Sequence, residues 1–345
     1  MKRPYFLALS VLFTIQSFAT VIHVDNKSTR PSGYYENLQL AINNASIGDS
    51  LYLYPSNQNY GTVYVTKKLH LFGKGFDGTT GNVSRIEYLY LDTSTSPATN
   101  SSGSSIQGLT INMLLTNKPN INNIVVSGNY FYSSYNTLSI QNNNCSGWLI
   151  INNYFNGYIE ISNNYNILIT NNIFRGYSNY PFANSSSNSV IFSHNLVHNF
   201  HYLNYVSNAI ISDNIFLCTD ATNSNYMSKN TFYNNLSWQS TLNPYLLPPT
   251  ANSGSNNISN QDPKFETALS SGNFDQTKDY HLKSTSPGKN AASDGSDIGP
   301  YGGNHPFEWG GVFGIPNVTE SLITNPVINQ VTPINVNVKA KKAGL

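Results

Sequence analysis

One short pattern of apolar and polar positions recurs between residues 124 and 232. Six segments carry it: IVVSGNYF (124–131), WLIINNYF (148–155), ILITNNIF (167–174), VIFSHNLV (190–197), AIISDNIF (209–216) and NYMSKNTF (225–232). Their reference asparagines are Asn129, Asn153, Asn172, Asn195, Asn214 and Asn230, at intervals of 24, 19, 23, 19 and 16 residues. Three positions before each stand Val126, Ile150, Ile169, Phe192, Ile211 and Met227; two after stand Phe131, Phe155, Phe174, Val197, Phe216 and Phe232. Strand side chains alternate between faces, so a polar corner between two inward residues predicts two short strands with a sharp bend at the Asn. Asn tolerates the left-handed backbone of such a bend, and stacked amides pass hydrogen bonds from coil to coil.

One coil cannot bury its apolar face, whereas a stack encloses a continuous core. A leucine-rich repeat needs a regular Leu ladder, and a propeller blade needs about 40 residues. The irregular period of Ile, Val and Phe predicts an all-β parallel β-helix instead. Leu38, Ala41, Ile42 and Ala45 fall at helical spacing and predict an amphipathic helix over about 36–47 that closes one end. Val63, Val65, Leu69, Leu71, Tyr88–Leu91 and Ile106–Ile111 read as less regular coils. Four positions before the reference Asn stand Val125, Leu149, Leu168, Ile191, Ile210 and Tyr226, which alternation sends outward. Apolar residues on both faces imply burial on both, so a later segment within 240–338 is expected to cover this stripe, with a partner subunit as the alternative. Residues 331–338 alternate like a strand within a tail, 311–345, expected to pack on the solenoid surface.

Composition narrows the class. Of 345 residues 10% are charged, against about 25% on average, and 52 are Asn. A net charge of +1 disfavours a nucleic-acid partner, and 13% aromatic content disfavours disorder. Lys2 and Arg3, an apolar Phe6–Ile15 stretch and Ser17-Phe18-Ala19 read as a signal peptide over 1–19, which predicts a secreted or cell-surface protein. No run is long enough to predict a membrane span. Cys145 and Cys218 would lie three or four coils apart, about 14–19 Å at about 4.8 Å per step, too far for a disulfide. Both are expected to be reduced packing residues.

The Tyr35–Ala45 and Gly48–Leu53 segments, together with Asp262-Pro-Lys-Phe265, Asp279-Tyr-His-Leu282, Ser286-Pro287 and Asp297–Gly303, resemble exported proteins of the pectin-lyase-like superfamily. That resemblance implies a single-stranded right-handed parallel β-helix over 20–310, with an N-terminal cap and a closing segment at about 262–303. Enzymatic members cut polysaccharides, by hydrolysis with paired carboxylates or by β-elimination with a base and a cation, often Ca²⁺. Between residues 104 and 240 the acids are Glu160, Asp213 and Asp220, and the Lys and Arg residues are Lys118, Arg175 and Lys229. They are scattered, which argues against catalysis.

Two constellations remain. His194, Asp213 and Lys229 directly precede successive reference asparagines and are expected to stack, either as a base–acid–cation row or as a surface charge ladder. Tyr158, Glu160, Tyr177, Tyr180, His201, Tyr202 and Tyr205 offer aromatic faces beside amides, suited to a sugar or serving only as loop caps. The expected role is a non-catalytic, monomeric β-helix presenting a glycan-binding or adhesive surface. A polysaccharide lyase with an atypical site among Glu160, Arg175, His194, Asp213 and Lys229 is the enzymatic alternative, and a purely structural envelope component is the third. No cofactor or metal site is expected; Asp294 and Asp297 offer oxygens for Ca²⁺ but are better explained by a turn.

Overall fold

The computed structural model describes residues 19–76, 83–142, 144–176, 180–185, 188–200, 205–218, 227–238, 246–270, 274–311, 317–323 and 336–341. Residues 1–18 of the proposed signal peptide, 1–19, lie outside the described residues, as do Tyr177, His201, Tyr202 and Tyr226.

The chain winds into a parallel β-solenoid of about eight turns. One sheet stacks eleven strands from Val21–Val24 to Ser253–Ser255. The second contains twelve strands and forks at Thr110–Thr116. One branch runs through Tyr130–Phe131, Tyr154–Phe155 and Ile173–Phe174; the other runs through Asn136–Ile140, Tyr158–Ser162 and Phe182–Ser185. The inward column Ile106, Val126, Ile150, Ile169, Phe192, Ile211 and Phe232 is buried and in register. Phe131, Phe155 and Phe174 stack almost parallel, with ring centroids 4.7 and 4.9 Å apart. The cap helix spans Leu38–Asn44; the Asn37 side chain accepts the Leu40 N–H at 2.8 Å, and Leu38, Ala41 and Ile42 face the core.

The amide ladder is present, and its asparagines from Asn129 to Asn214 are fully buried. Asn129 Nδ2 donates to Asn153 Oδ1 at 3.0 Å, and the chain continues through Asn172, Asn195 and Asn214. Each Oδ1 also accepts the backbone N–H of the ladder residue before it, and each Nδ2 reaches a carbonyl such as Ile106 O or Val126 O. A buried amide with unmet donors would cost about 1–3 kcal/mol per group, so this complete pairing is what permits Asn in the interior.

Two expectations about this corner are corrected. After Asn214 the ladder passes to Asn235, at 2.9 Å, and then to Asn257. Asn230 instead belongs to a second column, accepting from Ala209 N and donating to Asn252. NYMSKNTF imitates the repeat five residues ahead of the true corner: Phe232 pairs with Ile211, and Leu236 with Ile215. The left-handed residue is also the one before the ladder Asn: Gly128, Asn152, Asn171, His194, Asp213 and Asn234 have φ between 49 and 60°. Asn, Asp and His are the residues enriched in that conformation, which explains why those types recur there.

The closing segment lies elsewhere than expected. Phe265, Phe274, Tyr280, Leu282, Ile298 and Phe307 pack over Tyr154, Ile173, Leu196, Ile215 and Leu236, the column one position after the ladder. The stripe four positions before stays open: Ile191 and Ile210 are 38% and 44% exposed, and Val125, Leu149 and Leu168 are half-buried. At the C-terminus Asn317–Ile323 pairs antiparallel with Val336–Lys341; of the alternating stretch 331–338, residues 331–335 lie outside the described residues. Cys145 is a buried free thiol, as expected; Cys218 ends the strand Ile215–Cys218.

Candidate functional site

His194, Asp213 and Lys229 do not form a row. Lys229 precedes Asn230 in the second column, so only His194 and Asp213 are neighbours. Neither is on the surface: they are 8% and 2% exposed, beneath the closing segment. Asp213 accepts the Ser293 N–H at 2.6 Å and the Ser293 hydroxyl at 2.8 Å, and its main-chain carbonyl accepts Gly299 N–H. His194 Nε2 stands 3.8 Å from Asp213 and 3.9 Å from Asp294. Asn171 Nδ2 donates to the Pro300 and Gly302 carbonyls, and Asn234 Nδ2 to Ala291 O. The left-handed column is thus a latch for residues 291–302. Its side chains emerge where the backbone bends, so they reach carbonyls and N–H groups of a chain lying across the corner.

Asp294 and Asp297 are likewise structural. Asp294 accepts from Ser296, and Asp297 binds Lys289 Nζ at 2.7 Å and the Asn290 N–H. Among the described residues no group of three metal-ligating side chains converges.

The polar surface with the most organised chemistry is the outer face of the second sheet. Tyr158 and Glu160 are half-buried, while Ile159 and Ile161 point into the core. The Tyr180 ring meets Tyr158 at 4.8 Å, and Glu160 accepts from Asn136 Nδ2 at 2.6 Å. Tyr205, in contrast, is exposed beside the short strand Val206–Ser207, which pairs in a separate sheet. Arg175 follows the strand Ile173–Phe174, where its backbone N–H bonds Phe155 O.

Toward the cap, the same face holds a cluster that the sequence reading missed. Glu87 Oε2 accepts from Asn59 at 2.8 Å and the Tyr132 hydroxyl at 2.9 Å, while Oε1 accepts from Asn112 at 2.9 Å. Arg85 lies over the Tyr132 ring at 5.7 Å. Tyr64 and Tyr90, in register on adjacent strands, stack at 4.8 Å with 10° between planes, and Tyr88 lies 6.4 Å from Tyr90. The signal was available in the alternation of Arg85-Ile-Glu-Tyr-Leu-Tyr90, upstream of the regular repeats.

The phenols on this face are held in their protonated form. Burial, helped by the Tyr180 hydroxyl, pushes the Tyr158 phenol up to about 12. Burial and the Glu87 carboxylate push Tyr132 up as well. Phenols held this way donate hydrogen bonds and are poor bases at neutral pH. Glu87 and Glu160 stand three strand steps apart and out of register, Glu160 being level with Tyr90, so they are more than about 14 Å apart at about 4.8 Å per step, wider than the roughly 5–9.5 Å that glycoside hydrolysis uses.

No family model and no curated protein matches this chain. The fold places it among parallel β-solenoids. No helix among the described residues is long and apolar enough to cross a membrane.

Proposed function

We propose that this is an exported, non-catalytic solenoid protein of the pectin-lyase-like kind, which binds a glycan along the outer face of its second sheet. The observation that carries this reading is the line of tyrosines on that face: Tyr64 stacked on Tyr90, with Tyr88, Tyr132 and the Tyr158–Tyr180 pair. Amide and carboxylate groups of Asn59, Asn112, Asn136, Glu87 and Glu160 are interleaved with them. Flat rings take the apolar faces of pyranoses, and amides take their hydroxyls. A regular strand spacing suits a polymer with repeating units better than a compact ligand.

The test is a glycan array probed with the protein and with the double variant Tyr90→Ala/Tyr158→Ala. Wild type is expected to retain one or a few related polysaccharides, and the variant to bind them at least about tenfold more weakly. Absence of signal on every glycan would favour a purely structural role. Ultraviolet absorbance from unsaturated products on uronate polysaccharides would favour the lyase.

A further inference from the structure

The latched closing segment also builds a cleft of about 310 Å³, apart from the tyrosine face. Phe274, Tyr280 and Trp309 line it, with Lys278, Asp279 and His281 at the polar rim. Phe274 and Tyr280 stack at 4.8 Å with 10° between planes. Trp309 packs on Tyr154 at 5.2 Å and on Phe307 at 5.9 Å, yet remains 37% exposed. An indole anchored to the core along some of its edges and open on the rest is a fixed platform. At the rim, His281 lies against the Tyr301 ring at 3.8 Å, and its Nδ1 is 2.6 Å from Asp279 Oδ1. Burial works to raise the Asp279 carboxyl, but the His281 donors outweigh it and hold it below its ordinary value. The site is therefore built before a ligand arrives, because the His281–Asp279 pair fixes one wall and the aromatic cluster the floor.

We infer that this cleft binds a neutral mono- or disaccharide, stacked on Trp309 and hydrogen-bonded at its rim by Asp279 and Lys278. The volume sits at the small end of the about 300–1,000 Å³ usual for ligand pockets, too small for a long polymer to run through. Lys278 and Asp279 are adjacent and opposite in charge, which gives both a donor and an acceptor without favouring a uronate. A sugar end entering here engages residues different from those of the sheet face, so this inference stands independently of the proposed polymer site.

The experiment is titration of the full chain with cellobiose, lactose, N-acetylglucosamine and galacturonic acid, read by tryptophan fluorescence. Of the three tryptophans, Trp148 is buried and Trp238 is half-buried outside the cleft lining, so Trp309 is the one that lines the cleft and the Trp309→Ala variant assigns the signal. Saturable quenching by at least one neutral sugar is expected, with no preference for galacturonic acid. Asp279→Asn, an exposed change that spares the core, is expected to weaken the midpoint by about tenfold. Trp309→Ala should remove the response, with circular dichroism reporting its fold. Quenching should persist in Tyr90→Ala/Tyr158→Ala protein, which separates this site from the sheet face. No quenching by any neutral sugar, unchanged titration in Asp279→Asn, or stronger binding of galacturonic acid would each overturn the inference.

Discussion

Two outward columns run beside the amide ladder and look alike in sequence. Leu149, Leu168, Ile191 and Ile210 stand four positions before the ladder Asn; Tyr154, Ile173, Leu196 and Ile215 stand one position after it. The second column is buried under Phe265, Phe274, Leu282 and Ile298, while in the first Ile191 and Ile210 face solvent. Hydrophobicity does not separate them. The difference lies in the latch between them, where Asn171, Asp213 and Asn234 bind the main chain of residues 291–302 or the Ser293 side chain. Held at that line, the segment can fold down over one side only. Apolar columns ask for cover, and polar anchors decide which of them receives it.

The largest expected effect tests that asymmetry directly. Ile215→Ala should cost about 2–5 kcal/mol in urea denaturation, the range for emptying a packed site. Ile210→Ala, at the exposed column, should cost less than about 0.5 kcal/mol. Similar losses at both positions would mean that the two columns are equally covered.

His198 sharpens the comparison through pH. It is buried against Phe274 at 5.9 Å, and burial, with Arg175 nearby, pushes its imidazole down to about 4. The unfolded chain therefore takes up this proton first, near its ordinary value of about 6.5. The stabilisation is complete above about 6.5 and is lost as pH falls toward 4, amounting to about 3 kcal/mol. His198→Gln should flatten that part of the stability profile. A wild-type profile level between pH 7 and 4 would show that the cover leaves His198 wet.

A smaller effect is expected at the latch itself. Asp213→Asn keeps a residue suited to the left-handed backbone but exchanges charge-assisted hydrogen bonds for neutral ones, at a cost of about 1 kcal/mol. Hydrogen exchange at the Ser293 amide should quicken. Unaltered exchange there would remove Asp213 from the anchoring role.

Much of the architecture was legible because its physics is local and repeated. The Val126–Ile150–Ile169 column, the Phe131–Phe155–Phe174 stack and the cap helix all follow from side-chain periodicity, which the chain states several times over. Where the repeat weakens, the local motif misleads: Asn230 has the right flanking residues, yet strand pairing is satisfied only with Asn235 in the ladder. The chemistry was less legible. His194 and Asp213 stand out as chemical groups but occupy a backbone site that selects Asn, Asp or His for conformation. Glu87 was overlooked because its partners Asn59, Asn112 and Tyr132 come from three other coils or loops, at separations no short motif records.

The sequence by itself determined that short strands alternate inward and outward around asparagine corners, because side-chain alternation and left-handed tolerance are properties of a residue and its immediate neighbours. It also determined that the chain has too few charges in its coils to build a dense ionic site. Only the tertiary structure decided which outward column is covered, where the ladder continues after Asn214, and which polar groups share a surface. Those outcomes depend on the register between coils and on contacts such as Asp213 to Ser293, formed between positions far apart along the chain.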